Sequence, residues 1–530
     1  MLASTKNQLR IQLLASVGLL IILVVGIPIP ISAINIHEPE SYFQYHQRPN
    51  GTNLQKHSEI CDILKQLDSE LQNHTFQPSQ VKQDRFDRKD FQEVGYQRTF
   101  WIYDFTASFF YEVNATLLAI GEYSLVFMEK NCITELGELA AIGKTETIRD
   151  EFDSTIYPRI TDLAGHPNGT LGDIDGDPRI VILLSNCANY YSERNELPFD
   201  YSNLCEMIYI HYRIHLMNVV AHEFHHLIWF NNEWDEPQFI LEALAQYAMY
   251  YAGYLEPYNN LAPQVDAYLP HPEESLLYWN MYNDGGVSAV IDYGGAYLFA
   301  FYIAEQYGVE ILQNLITEPA DGPHGIEAVL QTAGDDITFN ELYLNWIMAL
   351  TIDELGFCNN LYGFENLNAR ITQYYPVGVL PLLNQTISLR YYGFHIHKLQ
   401  SPPDNFTVQI KKSSNQTIGV SIASHDAIGW HIYQNLHDEE GTIITDNFMG
   451  NQIDVAYIIT SYMLNHTPTI TRSYDIGLGP STHIDISIIT TPITLEVPWG
   501  LIIPLSAFSV ICLLIVIVIT IRKSKHFEEK

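Results

Sequence analysis

The chain has 530 residues, 62 acidic and 27 basic, for a formal net charge of −35. Hydrophobic residues make up 47% and charged residues 17%, a composition that excludes disorder in a chain too long for one ordinary domain. So acidic a balance argues against a nucleic-acid partner, because binding phosphates takes clustered Lys and Arg.

Leu13 to Ile27 is an apolar run preceded by Lys6 and Arg10 and followed by Pro28, Pro30 and the small pair Ser32–Ala33. Residues 1–34 read as a signal peptide cleaved near Ala33, or as a retained N-terminal anchor. Residues 35–92 are polar and read as a linker or pro-segment. Strands are predicted at Phe100–Tyr103, Tyr123–Phe127, Arg179–Leu184 and Glu206–Ile210. Helical periodicity then runs through 215–355, including Ile240–Tyr251, Ala296–Tyr307 and Phe339–Ile352. Strands first and helices later point to an α+β domain over 93–358. Short β-rich segments at Ile387–Tyr391, Phe406–Ile410, Thr417–Ile422 and Val455–Ile459 are separated by turn residues. That spacing predicts a β-sandwich over 375–492. Trp499 to Ile521 carries no charge and is followed by Arg522, Lys523 and Lys525. A helix of that length spans ~30 Å of hydrocarbon, and cationic flanks stay cytoplasmic. The expectation is a single transmembrane helix over 498–521, a cytoplasmic tail over 522–530 and an extracellular ectodomain.

Export has further support. Asn-x-Thr triplets occur at Asn50, Asn73, Asn114, Asn168, Asn384, Asn405, Asn415 and Asn465, which suggests surface glycosylation. Outside the hydrophobic segments lie Cys61, Cys132, Cys187, Cys205 and Cys358, an odd number that leaves one thiol unpaired or intermolecular. Cys187–Cys205 is the favoured bridge because it closes a short loop.

The chemistry concentrates at Ala221-His222-Glu223-Phe224-His225-His226-Leu227, which contains H-E-x-x-H. On a helix His222 and His226 are one turn apart and share a face, where two imidazoles can grip one Zn²⁺. Glu223 can reach a zinc-activated water without ligating the ion. A catalytic zinc needs a third protein ligand and one open position. Glu242 follows His226 by 16 positions, the one acid in the apolar helix Phe239–Tyr247. Burying it unpaired is costly, and coordination to a cation removes that cost. His225 stands about 100° around the helix from His226 and is expected on the protein side; His211 and His215 read as ordinary polar residues. Asp173, Asp175 and Asp177 resemble the start of a calcium loop. Pro178 occupies the place of the loop's Gly and Leu184 that of its closing Glu, so a strand-initiating turn is preferred over Ca²⁺.

His222-Glu223-x-x-His226 with Glu242 in Glu-Ala-Leu-Ala resembles the gluzincin branch of zincin metallopeptidases. Ala221–Ile228 with Leu241–Leu244 is similar to the hyicolysin-type neutral metallopeptidases, as are Gly172–Leu183, Tyr293–Phe299 and Gln306-Tyr307-Gly308. The likeness covers about residues 94–355. Leu241 and Ala243 depart from the Asn and Gly that relatives often carry, and Gln246 from the Asp of the thermolysin subset. The resemblance implies a thermolysin-like zincin fold and one catalytic Zn²⁺ held by His222, His226 and Glu242. It implies that Glu223 acts as general base on the attacking water, and that Tyr293 stabilises the oxyanion. The function so implied is a membrane-anchored extracellular zinc endopeptidase acting on polypeptides. The alternative is a non-catalytic cell-surface binding or adhesion protein on the same scaffold.

Overall fold

The computed structural model describes residues 93–490 except 106, 168–173, 198, 214–216, 234, 256–262, 280–286, 413–415, 439–441, 450–451 and 471–479. Six strands form the first sheet: β1 (Gln97–Asp104), β2 (Phe109–Ile120), β3 (Ser124–Glu129), β4 (Ile180–Ser185), β5 (Tyr190–Tyr191) and β6 (Met207–His211). Their spatial order is β1-β2-β3-β4-β6-β5. The β3–β4 and β4–β6 pairs are parallel, and the two edges are antiparallel. Every residue of β3, β4 and β6 is buried. That explains their unbroken apolar runs: a parallel strand is covered on both faces and has no polar side to alternate with.

Parallel pairing needs a crossover, and the chain makes one with α1 (Lys130–Leu136), α2 (Glu138–Glu151), a π-turn at Phe152–Ile156 and α3 (Tyr157–Ala164). Helices therefore precede β4 and β6, which corrects the strands-then-helices order read from the sequence. After β6 come α4 (Met217–Asn232), α5 (Gln238–Tyr251), α6 (Pro263–Tyr268), α7 (Val287–Tyr307), α8 (Val309–Leu315), α9 (Gly322–Ala333) and α10 (Phe339–Ile352). α4 is buried over Val219–His225 and Leu227–Asn231, so it is a central helix and not an amphipathic surface one. α10 begins at a reciprocal cap in which Thr338 and Glu341 satisfy each other's backbone N–H groups.

Two further sheets face each other beyond α10. One has the order β13 (Thr442–Met449), β10 (Asn405–Lys412), β15 (Ser481–Thr490), β8 (Leu382–Arg390). The other runs β12 (Gly429–His437), β11 (Thr417–Asp426), β14 (Val455–Met463), β9 (Phe394–Gln400), β7 (Tyr375–Val377). Phe406, Val408 and Ile410 pack with Ile418, Val420, Ile422, Ile484, Ile486 and Ile488 in one core. Each set is spaced by two, as inward-facing strand positions must be. The sandwich packs on the helices. Tyr392 donates to Asn340 of α10, and Gln434 Nε2 donates to the Leu344 carbonyl at 2.9 Å. At Gly393 a Cβ would lie 2.4 Å from the Glu273 carbonyl oxygen, so this close approach requires glycine.

The α+β class holds, but its membrane component is corrected. Among the described residues no helix is long and apolar enough to cross a membrane. The helix expected over 498–521 as the membrane partner, the tail 522–530, and segments 1–34 and 35–92 lie outside the described residues. The Cys187–Cys205 bridge is a second correction. Both thiols are free and buried in the core of the first sheet, and the Arg98 guanidinium contacts Cys205 Sγ at 3.6 Å. Asp173 lies outside the described residues. Asp175 Oδ1 accepts the Asp177 N–H at 2.8 Å, and Asp177 pairs with Arg179 at 2.5 Å, a bend leading into β4.

Candidate metal centre

Helix α4 places His222 and His226 on one face, with ring Nε2 atoms 3.1 Å apart. The connection Glu233–Pro237 turns the chain back, and extended Pro237 starts α5. Glu242, just over one turn into α5, then lies against α4. Its Oε2 is 3.2 Å from His222 Nε2 and 3.4 Å from His226 Nε2. Three atoms each 2.0–2.1 Å from a tetrahedral centre stand about 3.3 Å from one another. The three donors thus occupy the corners of one face of such a coordination shell. His222 and Glu242 are buried, and His226 is 14% exposed by its side chain, which leaves one open side.

The residues fit a cation on chemical grounds as well. Two imidazole nitrogens and a carboxylate oxygen converge, and a shared proton can serve only one contact among the three. His222 Nδ1 is buried without a hydrogen-bond partner. Burial raises the Glu242 carboxyl, but His226 and His222 outweigh it and hold the group well below the usual carboxylate range. Its other oxygen, Oε1, accepts from Gln238 Nε2 at 2.7 Å. Gln238 is one helical turn before Glu242 on the same face of α5, so its spacing was the available sequence signal.

Glu223 is 5% exposed and interacts electrostatically with His222, His226 and Glu242. Burial pushes its carboxyl up, opposed by His222 and His226. Its carboxylate accepts the backbone N–H of Tyr191, in edge strand β5, a partner that H-E-x-x-H spacing cannot reveal. Tyr293, in the first turns of α7, places its ring 6.3 Å from the His222 ring and packs edge-on against Trp279 at 4.9 Å. His225 is buried on the protein side against Trp229, with ring centroids 5.7 Å apart. Burial pushes its imidazole well below the ordinary value. His211 is buried at the end of β6, and burial lowers its imidazole to about 4; His215 lies outside the described residues.

No family model matches the chain, and no curated protein matches it. Among solved structures, it is similar to the pre-peptidase C-terminal domain of a collagenase from Bacillus anthracis. That match has 13% identity, covers 23% of this chain and 99% of that one, and has a TM-score of 0.15. A second is a family GH115 4-O-methyl-α-glucuronidase with specificity for decorated arabinogalactans. It has 8% identity, covers 52% of this chain and 39% of that one, and has a TM-score of 0.14. Likenesses at those scores carry no argument about fold or activity.

Proposed function

We propose that the protein is a zinc-dependent endopeptidase of gluzincin type. The single observation that supports this reading most is the convergence of His222 Nε2, His226 Nε2 and Glu242 Oε2 at mutual distances of 3.1, 3.2 and 3.4 Å. These three residues would hold the ion, and when bound it would lower the pKa of a water and polarise a scissile carbonyl. Glu223 accepts the proton of the attacking water and returns it to the leaving amine. The Tyr293 hydroxyl donates to the developing oxyanion, and Trp279 fixes the orientation of its ring. Gln238 holds Glu242 in the rotamer that faces the imidazoles. Exposed sequon residues Asn114, Asn384 and Asn465 fit a protein exported from the cell.

The test is metal analysis of the full chain with a casein assay, wild type against Glu223→Gln. The expected result is one zinc per chain in both and cleavage by wild type only. Equal turnover by the two proteins would remove Glu223 from the mechanism. Stoichiometric zinc without cleavage by the wild type would leave a binding protein on this scaffold.

A further inference from the structure

The second halves of α5 and α7, with the chain that follows α10, border a cavity of about 190 Å³. Tyr247, Tyr250 and Phe301 form its aromatic wall, and Glu305, Glu365 and Asn366 its polar side. Phe301 stands eight residues after Tyr293, about 12 Å along α7, so the cavity lies away from the candidate metal centre. Helical spacing brings the wall together. Tyr247 and Tyr250 are three apart on α5, Phe301 and Glu305 four apart on α7, and each pair shares a face. Tyr250 meets Phe301 edge-on, with ring centroids 4.9 Å apart and planes at 64°. Tyr247 stands 5.6 Å from Tyr250 and 6.1 Å from Phe301, and none of the three pairs is stacked face to face.

Every charge on this wall is negative, for no Lys, Arg or His lines it. Glu305 is held by neutral donors: its Oε2 accepts the Glu365 N–H at 3.0 Å, and its Oε1 accepts the Asn366 N–H and Nδ2, each at 2.8 Å. Those bonds fix the carboxylate and leave its charge without a counter-ion. Neither Glu305 nor Glu365 forms an ion pair among the described residues. Burial raises the Glu305 carboxyl, the Asn366 and Glu365 donors oppose it, and the Glu365 charge raises it further. A second observation is independent of the acids. Tyr247 is 6% exposed, yet its hydroxyl makes no hydrogen bond among the described residues. A buried Tyr hydroxyl ordinarily finds a partner. Tyr247 lines the cavity, and so does Tyr250, whose hydroxyl equally makes no hydrogen bond among the described residues.

We propose that this cavity binds a primary alkylammonium group, supplied by a free amine or by a lysine side chain. The Glu305 and Glu365 carboxylates offset its charge, and the Tyr247 and Tyr250 hydroxyls accept its N–H donors. The rings attract the cation and cover its alkyl stem. An anion would meet only like charge, and a quaternary ammonium has no N–H to give the hydroxyls. The excess of acidic over basic residues in the chain, 62 against 27, favours the approach of a cation. The proposal goes beyond the peptidase reading and does not rest on it, because binding here needs neither zinc nor turnover.

The test is a ligand-observed NMR titration of the full chain at neutral pH with n-butylammonium chloride, using n-butanol as the uncharged isostere. Wild type is expected to bind the ammonium saturably at millimolar concentration and not to bind the alcohol. Glu305→Gln should bind the ammonium about tenfold more weakly, and Tyr247→Phe, which keeps the ring, about threefold more weakly. Far-UV circular dichroism reports whether each variant folds. If Glu305→Gln fails to fold for want of its loop bonds, Tyr247→Phe and the exposed Glu365→Gln carry the same expectation of weakened binding. Nα-acetyl-lysine methylamide separates the two sources. Binding as tight as that of n-butylammonium assigns a lysine side chain, and weaker or absent binding assigns a free amine. No saturable binding by wild type overturns the site, as does equal affinity for n-butanol or unchanged affinity in the folded variants.

Discussion

Glu242 is the side chain on which the candidate centre turns, because its Oε2 lies within 3.4 Å of the Nε2 atoms of both imidazoles. Glu242→Ala should lower the bound zinc well below one per chain, and full occupancy in that variant would reassign the third ligand. Glu223→Gln removes the base but no ligand, so kcat should fall on the order of 10²–10⁴-fold with zinc retained. Gln238 touches the candidate ligand Glu242 and is not itself one of the three converging donors. Gln238→Leu should therefore weaken zinc affinity by about 10–100-fold, measured by competition with a chromogenic chelator. Tyr293→Phe keeps the ring against Trp279 and removes only the hydroxyl. A kcat loss on the order of 10²-fold with unchanged KM is expected, and unchanged kcat would return Tyr293 to a packing role.

Elements reach their places through close contacts that depend on small residues. At Gly294 of α7 a Cβ would lie 2.0 Å from the Gln264 carbonyl oxygen of α6, and at Gly295 it would meet the Tyr268 ring at 2.8 Å. The Gly-Gly pair after Tyr293 thus lets α6 lie directly on α7 and fixes the register that presents Tyr293. Gly294→Ala should destabilise by about 1–3 kcal/mol and lower the Tm. Gly143 on α2 is exposed and has nothing within 4 Å of its Cβ position. Gly143→Ala should instead stabilise by up to about 1 kcal/mol. Thermal melts of the two variants compare these opposite signs directly.

Across the whole molecule, stability should depend on acidity through the sandwich. His395 and His397 of β9 are buried; Tyr375 stacks on His395 at 3.7 Å, and Gln385 pairs with His397 at 3.1 Å. Burial lowers His395 to about 3, helped by His397, and lowers His397 to about 4. Above the unfolded value of about 6.5 both states are neutral and the contribution is intact. Between there and about 4 the unfolded chain takes up protons that the folded one refuses, so stability falls with falling pH. For His397 the loss amounts to about 3 kcal/mol by the lower end. His397→Gln should flatten the dependence of Tm on pH over this window, and an unchanged slope would place the acid sensitivity elsewhere.

The local signals were legible because they are written in period and spacing. Apolar runs marked β3, β4 and β6, β-rich segments between turn residues marked β10 and β11, and two histidines four apart with a lone acid in an apolar helix marked the candidate metal ligands. Other features depend on residues distant in the chain. Edge strand β5 is too short to show a pattern, yet it brings Tyr191 to Glu223. The crossover α1–α3 was hidden because α2 has no strong apolar stripe, with only Ala141, Thr145 and Ile148 buried. Cys187 and Cys205 would close a short loop, but both thiols are free, buried in one core with the side chains of the first sheet. Residue type and helical spacing are local properties, so the side chains able to carry the chemistry could be picked out along the chain. That Glu242 meets the two imidazoles came from folding alone, because the meeting requires the chain to double back across a loop.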